Sequence, residues 1–477
     1  MRKIFLLFAL IPIFIHAQDC DCESSFEWLK KTFEQNDAGY PMVIKQKGQR
    51  TYEKFSDSIG ALTKRINNHK ECVVLLDEWV HFFRKGHVGV YYIDDPTKTD
   101  LRNSIGVENY DAETFAVDTA VFYTQLKQRK IPFKLVDVWY DNSCKIAVVP
   151  DTINPQRDYV GVIISTKRPN WKPGQVKVEF FNADSGINAN YYMADHSVRK
   201  CNVEYSVRNL KVGSFSWRRS LEYVPLKERD DLSIYLAKEP VMKRLNDESL
   251  LLRIPSFRYE YKNKIADLLK ENEDLLEVTE NLVIDVRGNG GGADASMMRI
   301  IPYIYTNPVA MYDIEIRSTP LTYEAYKEWF SRSFFGRLYF AISLKRKLKK
   351  NMGSYVSRSK DTVRIKDWYN VRDYPKNVYV LVDGKCASTT EQFLLYAEQS
   401  SKTTIIGETT FGAIDVSNVN PILFPNKKYR LSYTCSRSLR MHERIIDDIG
   451  IDPDIFIPDS IPKFQWLRYV EENIVAD

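Results

Sequence analysis

Two stretches of this chain repeat one pattern, an apolar run, then a helix-forming segment, then a second apolar run. The first is LLLRIP, YKNKIADLLKENEDLLE and NLVIDV; the second is NVYVLVD, TTEQFLLYAEQSS and TTIIGE. A strand that returns through a helix to another strand is a crossover, and crossovers build parallel or mixed sheets with helices on their faces. The fold class expected for this half is therefore α/β. In such sheets, functional groups collect at the carboxyl ends of strands, where turns lead into helices.

The rest of the chain reads differently. Before about position 92, FEWLKKTF, FSDSIGALTKRI and CVVLLDEWVHFF carry apolar residues at helical spacing, and GHVGVYYI closes the segment with strand-like alternation. From about 133 to 212, short runs such as CKIAVVP, YVGVIIS and VKVEFF alternate with turn residues, the texture of an antiparallel barrel or small sandwich. At 477 residues two or three domains are expected. The divisions are a signal peptide over 1–17, an N-terminal helical domain over 18–105, a β-rich module over 125–215, and a core over 249–460 interrupted by an insertion over 318–370. The insertion, basic and aromatic, is expected to act as a lid or partner surface, a cap over the cleft being favoured over a face for anionic membrane; the plain reading is a helical pair packed on the sheet with solvated lysines.

MRKIFLLFALIPIFIHA places Arg2 and Lys3 before a short apolar run that ends at Ala17, the arrangement of a cleavable export signal. The expected location is secreted or periplasmic, cell-surface association included, with no transmembrane segment after signal removal. Seven cysteines permit disulfides in an exported chain, and Cys20 or Cys22 with Cys72 is a plausible pair. Formal net charge is +5, and +3 without the two basic signal residues, which gives no electrostatic case for nucleic acid. No histidine pair has zinc-ligand spacing and there is no Cys-x-x-Cys, so neither a metal nor another cofactor is expected.

Two strand-to-helix turns carry candidate chemistry. In LVIDVRGNGGGADAS, Gly288, Gly290, Gly291 and Gly292 follow a buried strand, and glycines there let backbone amides point at an anion. The run also fits the dinucleotide pattern GxGxxA, which sits badly with an exported protein; a tight structural turn is the plain reading. In VYVLVDGKCASTTEQFLLYAEQ a strand ends at Asp383 and a helix begins near Ser388. Ser388 and Glu391 form a capping-box pattern, but a hydroxyl at a helix N-terminus also sits beside free amides that can hold an oxyanion.

VIDVRGNGGG, KCASTTEQF, IIGETTFGA and GIDPDIFIP, in this order, resemble the core of the C-terminal processing (tail-specific) serine peptidases over roughly 249–458. The resemblance implies a crotonase-like β-α-β peptidase core, Ser388 as nucleophile, and oxyanion amides from Thr389 and the Gly290/Gly291 turn. It implies a peptide or protein substrate. One departure matters: the processing branch carries a lysine base where this chain has Phe411-Gly412-Ala413, and no lysine lies between Thr403 and Pro425. The tricorn-type branch uses a histidine from an N-terminal segment, and His87 in RKGHVG stands in that place. His81 and His442 are the competitors. The same branch implies Asp447 in IIDDIGIDPD as the third member, with Asp448 and Glu443 near it; Asp415 and Asn418 are further candidates to line the site.

The leading expectation is thus a secreted serine peptidase working through an acyl-enzyme on Ser388 with His87 as general base. The alternative is a peptidase-fold protein without turnover that binds peptides or apolar ligands, motivated by the missing lysine. A third reading, a glycan-binding module using Trp139 and Trp171, competes with their placement in a core.

Overall fold

The computed structural model describes residues 20–93, 113–129, 134–183, 186–193, 196–223 and 226–475. The apolar run over 1–17, read as an export signal, lies outside these. The chain divides into two compact units, one of 1–98 with 236–477 and one of 99–235.

The first unit holds both crossovers in a six-stranded sheet. Its order is Val241–Arg244, Ser249–Arg253, Asn281–Asp285, Asn377–Val382, Thr403–Gly407 and Ile455–Phe456. The first pair is antiparallel and every later pair parallel. Of the two middle strands, NLVID is wholly buried and NVYVLV is buried except at Asn377 and Tyr379, as expected of parallel strands largely covered on both faces. Their register, Asp285 opposite Leu381, brings their carboxyl ends level. The expected amphipathic helix is broken at Asn272 into Lys262–Glu271 and a short turn Glu273–Leu276.

A second, antiparallel sheet explains why the N-terminal helices belong to this unit and do not stand as a domain of their own. Strand Gly89–Tyr92 pairs with Tyr429–Ser438, which also pairs with Val416–Leu423 and Ile314–Arg317. Against this sheet, Phe26, Leu29, Phe33, Leu76, Trp79 and Phe83 of the N-terminal segment form one core with Tyr429, Leu431 and Tyr433. A disulfide joins Cys22 to Cys72, while Cys20 lies against the Tyr429 hydroxyl at 3.4 Å.

The insertion corrects the lid expectation. Tyr326, Phe340, Leu344 and Leu348 are buried in that same core, and Tyr355–Ser357 extends the antiparallel sheet beside Ile314–Arg317. These side chains complete a core, so removing 320–366 would uncover it.

The second unit is a closed antiparallel barrel of eight strands between Asp137 and Arg219, shut by Trp139 opposite Arg219. Three strands had no signature in sequence; GINANYY is poor in strand formers and is held by neighbours on both sides. Trp139 and Trp171 are 0% and 3% exposed, so they fill this unit's core and offer no stacking surface for a glycan.

Candidate active site

The level carboxyl ends of Asn281–Asp285 and Asn377–Val382 place the two expected turns side by side, and hydrogen bonds stitch them. Asp383 Oδ1 accepts from Gly288 N at 2.8 Å, Asn289 O from Thr390 Oγ1 at 2.8 Å, and Gly292 O from Thr389 Oγ1 at 3.0 Å. Beneath them Asp285 is wholly buried between Arg253 and Arg287. Desolvation alone would raise its pKa, but the two guanidinium charges outweigh it and hold the carboxyl below its ordinary value.

Ser388 precedes helix Thr389–Ala397 with φ 59° and ψ −121°. A positive φ is costly for a residue with a Cβ, and such strain is characteristic of functional turns. Gly291 (φ +99°) faces it so closely that a Cβ there would lie 2.7 Å from Ser388 Cβ and from Ala387 O, and 2.8 Å from Thr389 N. Gly291 N already donates to Asn289 Oδ1 at 3.0 Å. Gly290 N and Thr389 N donate to no described residue. Gly291→Ala is therefore expected to displace the Ser388 turn and lower kcat/KM by about 10²-fold. Gly290→Ala, whose Cβ would meet nothing within 4 Å, should retain most activity; paired kinetics on the two variants check this.

Glu391 does more than close a capping box. It is fully buried, and its carboxylate accepts from Ser388 N (3.1 Å), Thr410 Oγ1 (2.6 Å), Gly412 N (2.7 Å) and Ala413 N (2.9 Å). The stretch Phe411-Gly412-Ala413 is thereby tied to the Ser388 turn. Gly86 packs on it from the other side: a Cβ on Gly86 would come within 2.5 Å of Ala413 Cβ. His87 is the next residue.

His87 (φ 57°) has its Nδ1 2.6 Å from Val416 O. A carbonyl can only accept, so Nδ1 carries the proton and Nε2 is left with a lone pair. Burial lowers the His87 pKa; the Val416 carbonyl works against that shift and the Arg84 charge adds to it. No hydrogen bond joins Ser388 Oγ to His87. Arg84 and Asp37, which sequence reasoning missed, hold the histidine turn. Arg84 is bidentate to Asp37 at 2.9 and 2.6 Å and donates to Gly86 O and His87 O at 3.1 and 3.3 Å. They lie 47 positions apart in unremarkable sequence, so only the fold pairs them. Both are at least 96% buried, and Arg84→Met would strand the Asp37 carboxylate. The expected cost is about 3–5 kcal/mol, read by denaturant unfolding.

No hydrogen bond joins Asp447 to His87. Its Oδ1 accepts from Ile414 N at 2.6 Å and Asp415 N at 2.7 Å, and its Oδ2 from Val416 N at 3.4 Å. Asp447 thus grips the peptide whose Val416 carbonyl orients the histidine. Burial and the neighbouring Asp415 charge raise its pKa. Asp415, fully buried, accepts from Arg440 and from the amides of Ile446 and Asp447. Asp448 pins Lys85 N at 2.8 Å. Glu443 bonds the Tyr312 hydroxyl, and Asn418 donates to Ser436 Oγ at 2.7 Å. His81 ends helix His69–His81 with Nδ1 on Asp77 O, and His442 is exposed. The only cysteine in the Ser388 turn, Cys386, is buried, and desolvation pushes its thiol well above its ordinary pKa. A serine hydroxyl and a neutral imidazole, one on a turn that Glu391 holds and the other on a turn packed against the 411–413 segment that the same carboxylate holds, suit acyl transfer.

Residues 249–457 match the model of peptidase family S41. Over that stretch the chain is similar to a family of serine peptidases that act on peptides or proteins. Among solved structures it is similar to mature CPAF, at 13% identity over 94% of this chain and 95% of that one with a TM-score of 0.50. It is likewise similar to mature CPAF complexed with lactacystin, at 14% identity over 95% and 97% with a TM-score of 0.52. A search of curated proteins gives no match. Among the described residues no helix is long and apolar enough to cross a membrane.

Proposed function

We propose that this is an exported serine peptidase in which Ser388 is the nucleophile and His87 the general base. Ser388 Oγ attacks the scissile carbonyl as its proton passes to His87 Nε2. The negative charge on the tetrahedral oxygen is met by Gly290 N and Thr389 N. Collapse breaks the C–N bond, His87 gives its proton to the departing amine, and water then hydrolyses the Ser388 ester by the same route. Asp447 serves one step removed, by fixing the Val416 carbonyl that keeps His87 in the Nδ1–H tautomer. Because Ser388 Oγ and His87 are not hydrogen-bonded, the scheme requires them to close up when substrate binds, a common difference between free and occupied sites.

The observation that carries the proposal is Glu391, which binds the backbone of the Ser388 turn and of the segment on which the His87 turn rests. Export rests on the 1–17 run alone. Peptide binding without turnover is the second reading, favoured by the missing lysine and by the absence of a hydrogen bond between Ser388 and His87. Incubation with an unstructured protein, followed by mass-spectrometric mapping of new termini, separates the two. New termini made by the wild type and not by Ser388→Ala support the peptidase; binding with no new termini would leave only the second reading.

A further inference from the structure

The helical stretch 334–350 inside the insertion has two apolar sides, and the core uses only one. Phe340, Leu344 and Leu348, spaced four apart, are at most 6% exposed. Away from them, Phe334, Phe335, Leu338 and Ile342 are 67%, 80%, 47% and 72% exposed. Positions 334, 338 and 342 are again four apart and share a helix face, with Phe335 beside them. The segment Phe340–Leu344 is a π-helical turn, so the buried and exposed rows are offset where they meet.

Cations surround this face. Arg332, Arg337, Lys345, Arg346, Lys347, Lys349 and Lys350 are all exposed. Between 321 and 350 there are eight basic residues against Glu324 and Glu328, a balance of +6, and Glu324 is bonded to Lys327. With +5 on the whole chain, everything else sums to 5 − 6 = −1. The excess positive charge of the protein is therefore concentrated around its exposed aromatic and aliphatic side chains.

We propose that this face docks the protein on an anionic lipid bilayer. Phe334, Phe335, Leu338 and Ile342 enter the boundary between headgroups and acyl chains, and the surrounding lysines and arginines meet lipid phosphate and carboxylate groups. Apolar side chains on one helix face with a basic surround are the recognition chemistry of a surface-lying helix. Charge selects this occupant over a second copy of the chain, because two such faces would bring +6 against +6.

Co-sedimentation of the full chain with vesicles tests the proposal, using phosphatidylcholine alone and phosphatidylcholine with about one-third phosphatidylserine. Residues 1–17 are common to every variant, so differences between variants report the patch. Wild type should be retained on anionic vesicles about tenfold more than on neutral ones, less so at high salt. The double variant Phe335→Ser/Ile342→Ser and the double variant Lys345→Glu/Lys349→Glu should each fall to the neutral-vesicle level, with unchanged thermal unfolding and unchanged cleavage of a soluble peptide. Equal retention of wild type on both vesicle types, or variants retained as wild type is, overturns it. So does a patch-dependent dimer, or capture by an acidic polypeptide such as polyglutamate, without retention on vesicles.

Discussion

Ser388→Ala is expected to remove peptide hydrolysis, by roughly 10⁴–10⁶-fold in kcat, with little change in stability. Alanine deletes the attacking oxygen and keeps the Cβ, so the turn at φ 59° is no more strained than before. The Ser388 amide still donates to Glu391, and the helix loses at most a cap worth about 1 kcal/mol. Steady-state kinetics with a thermal melt as control read both halves. A variant that cleaves at wild-type rate would move the nucleophile to another hydroxyl, with Thr389 and Thr390 the nearest.

His87→Ala should cost several orders of magnitude, because a neutral serine hydroxyl is a poor nucleophile without a base. His81→Ala and His442→Ala should cost little, as neither side chain bonds a residue of the two site turns. The pH dependence has a definite sign. The base must be neutral, and burial sets the His87 pKa below its ordinary 6.5. Activity should therefore rise with pH and reach half its plateau below 6.5, with full rate kept through neutrality. Asp447, whose pKa is raised, is the other group able to shape that limb. A kcat/KM profile of Asp447→Asn distinguishes them: if His87 is the titrating base, the acid limb survives in the variant, shifted but present. Its disappearance would assign the limb to Asp447.

The parallel core was legible because crossovers leave a pattern of period and length, and the Ser388 and glycine turns sit where that pattern puts them. Glu391 was visible only as a helix cap, since nothing in Ser-Thr-Thr-Glu shows that the same carboxylate also reaches Gly412 and Ala413. Asp37 and Arg84 were invisible, because the pair forms across the N-terminal core. The insertion misled for a related reason: its buried Phe340, Leu344 and Leu348 and its exposed Phe334, Phe335 and Ile342 have the same composition, and only packing sorts one set from the other. Likewise the Asp447 motif marked a carboxylate near the histidine without showing that it acts on the 414–416 backbone.

The most direct test of the central claim is covalent labelling of the native protein with a fluorophosphonate, followed by digestion and mass spectrometry. Such reagents phosphonylate a serine activated by a neighbouring base, and leave an ordinary helix-cap serine untouched. A single adduct on Ser388, lost in Ser388→Ala and strongly slowed in His87→Ala, is the predicted result. No adduct on Ser388 in a protein that cleaves peptides, or labelling at an unchanged rate in His87→Ala, would contradict the account.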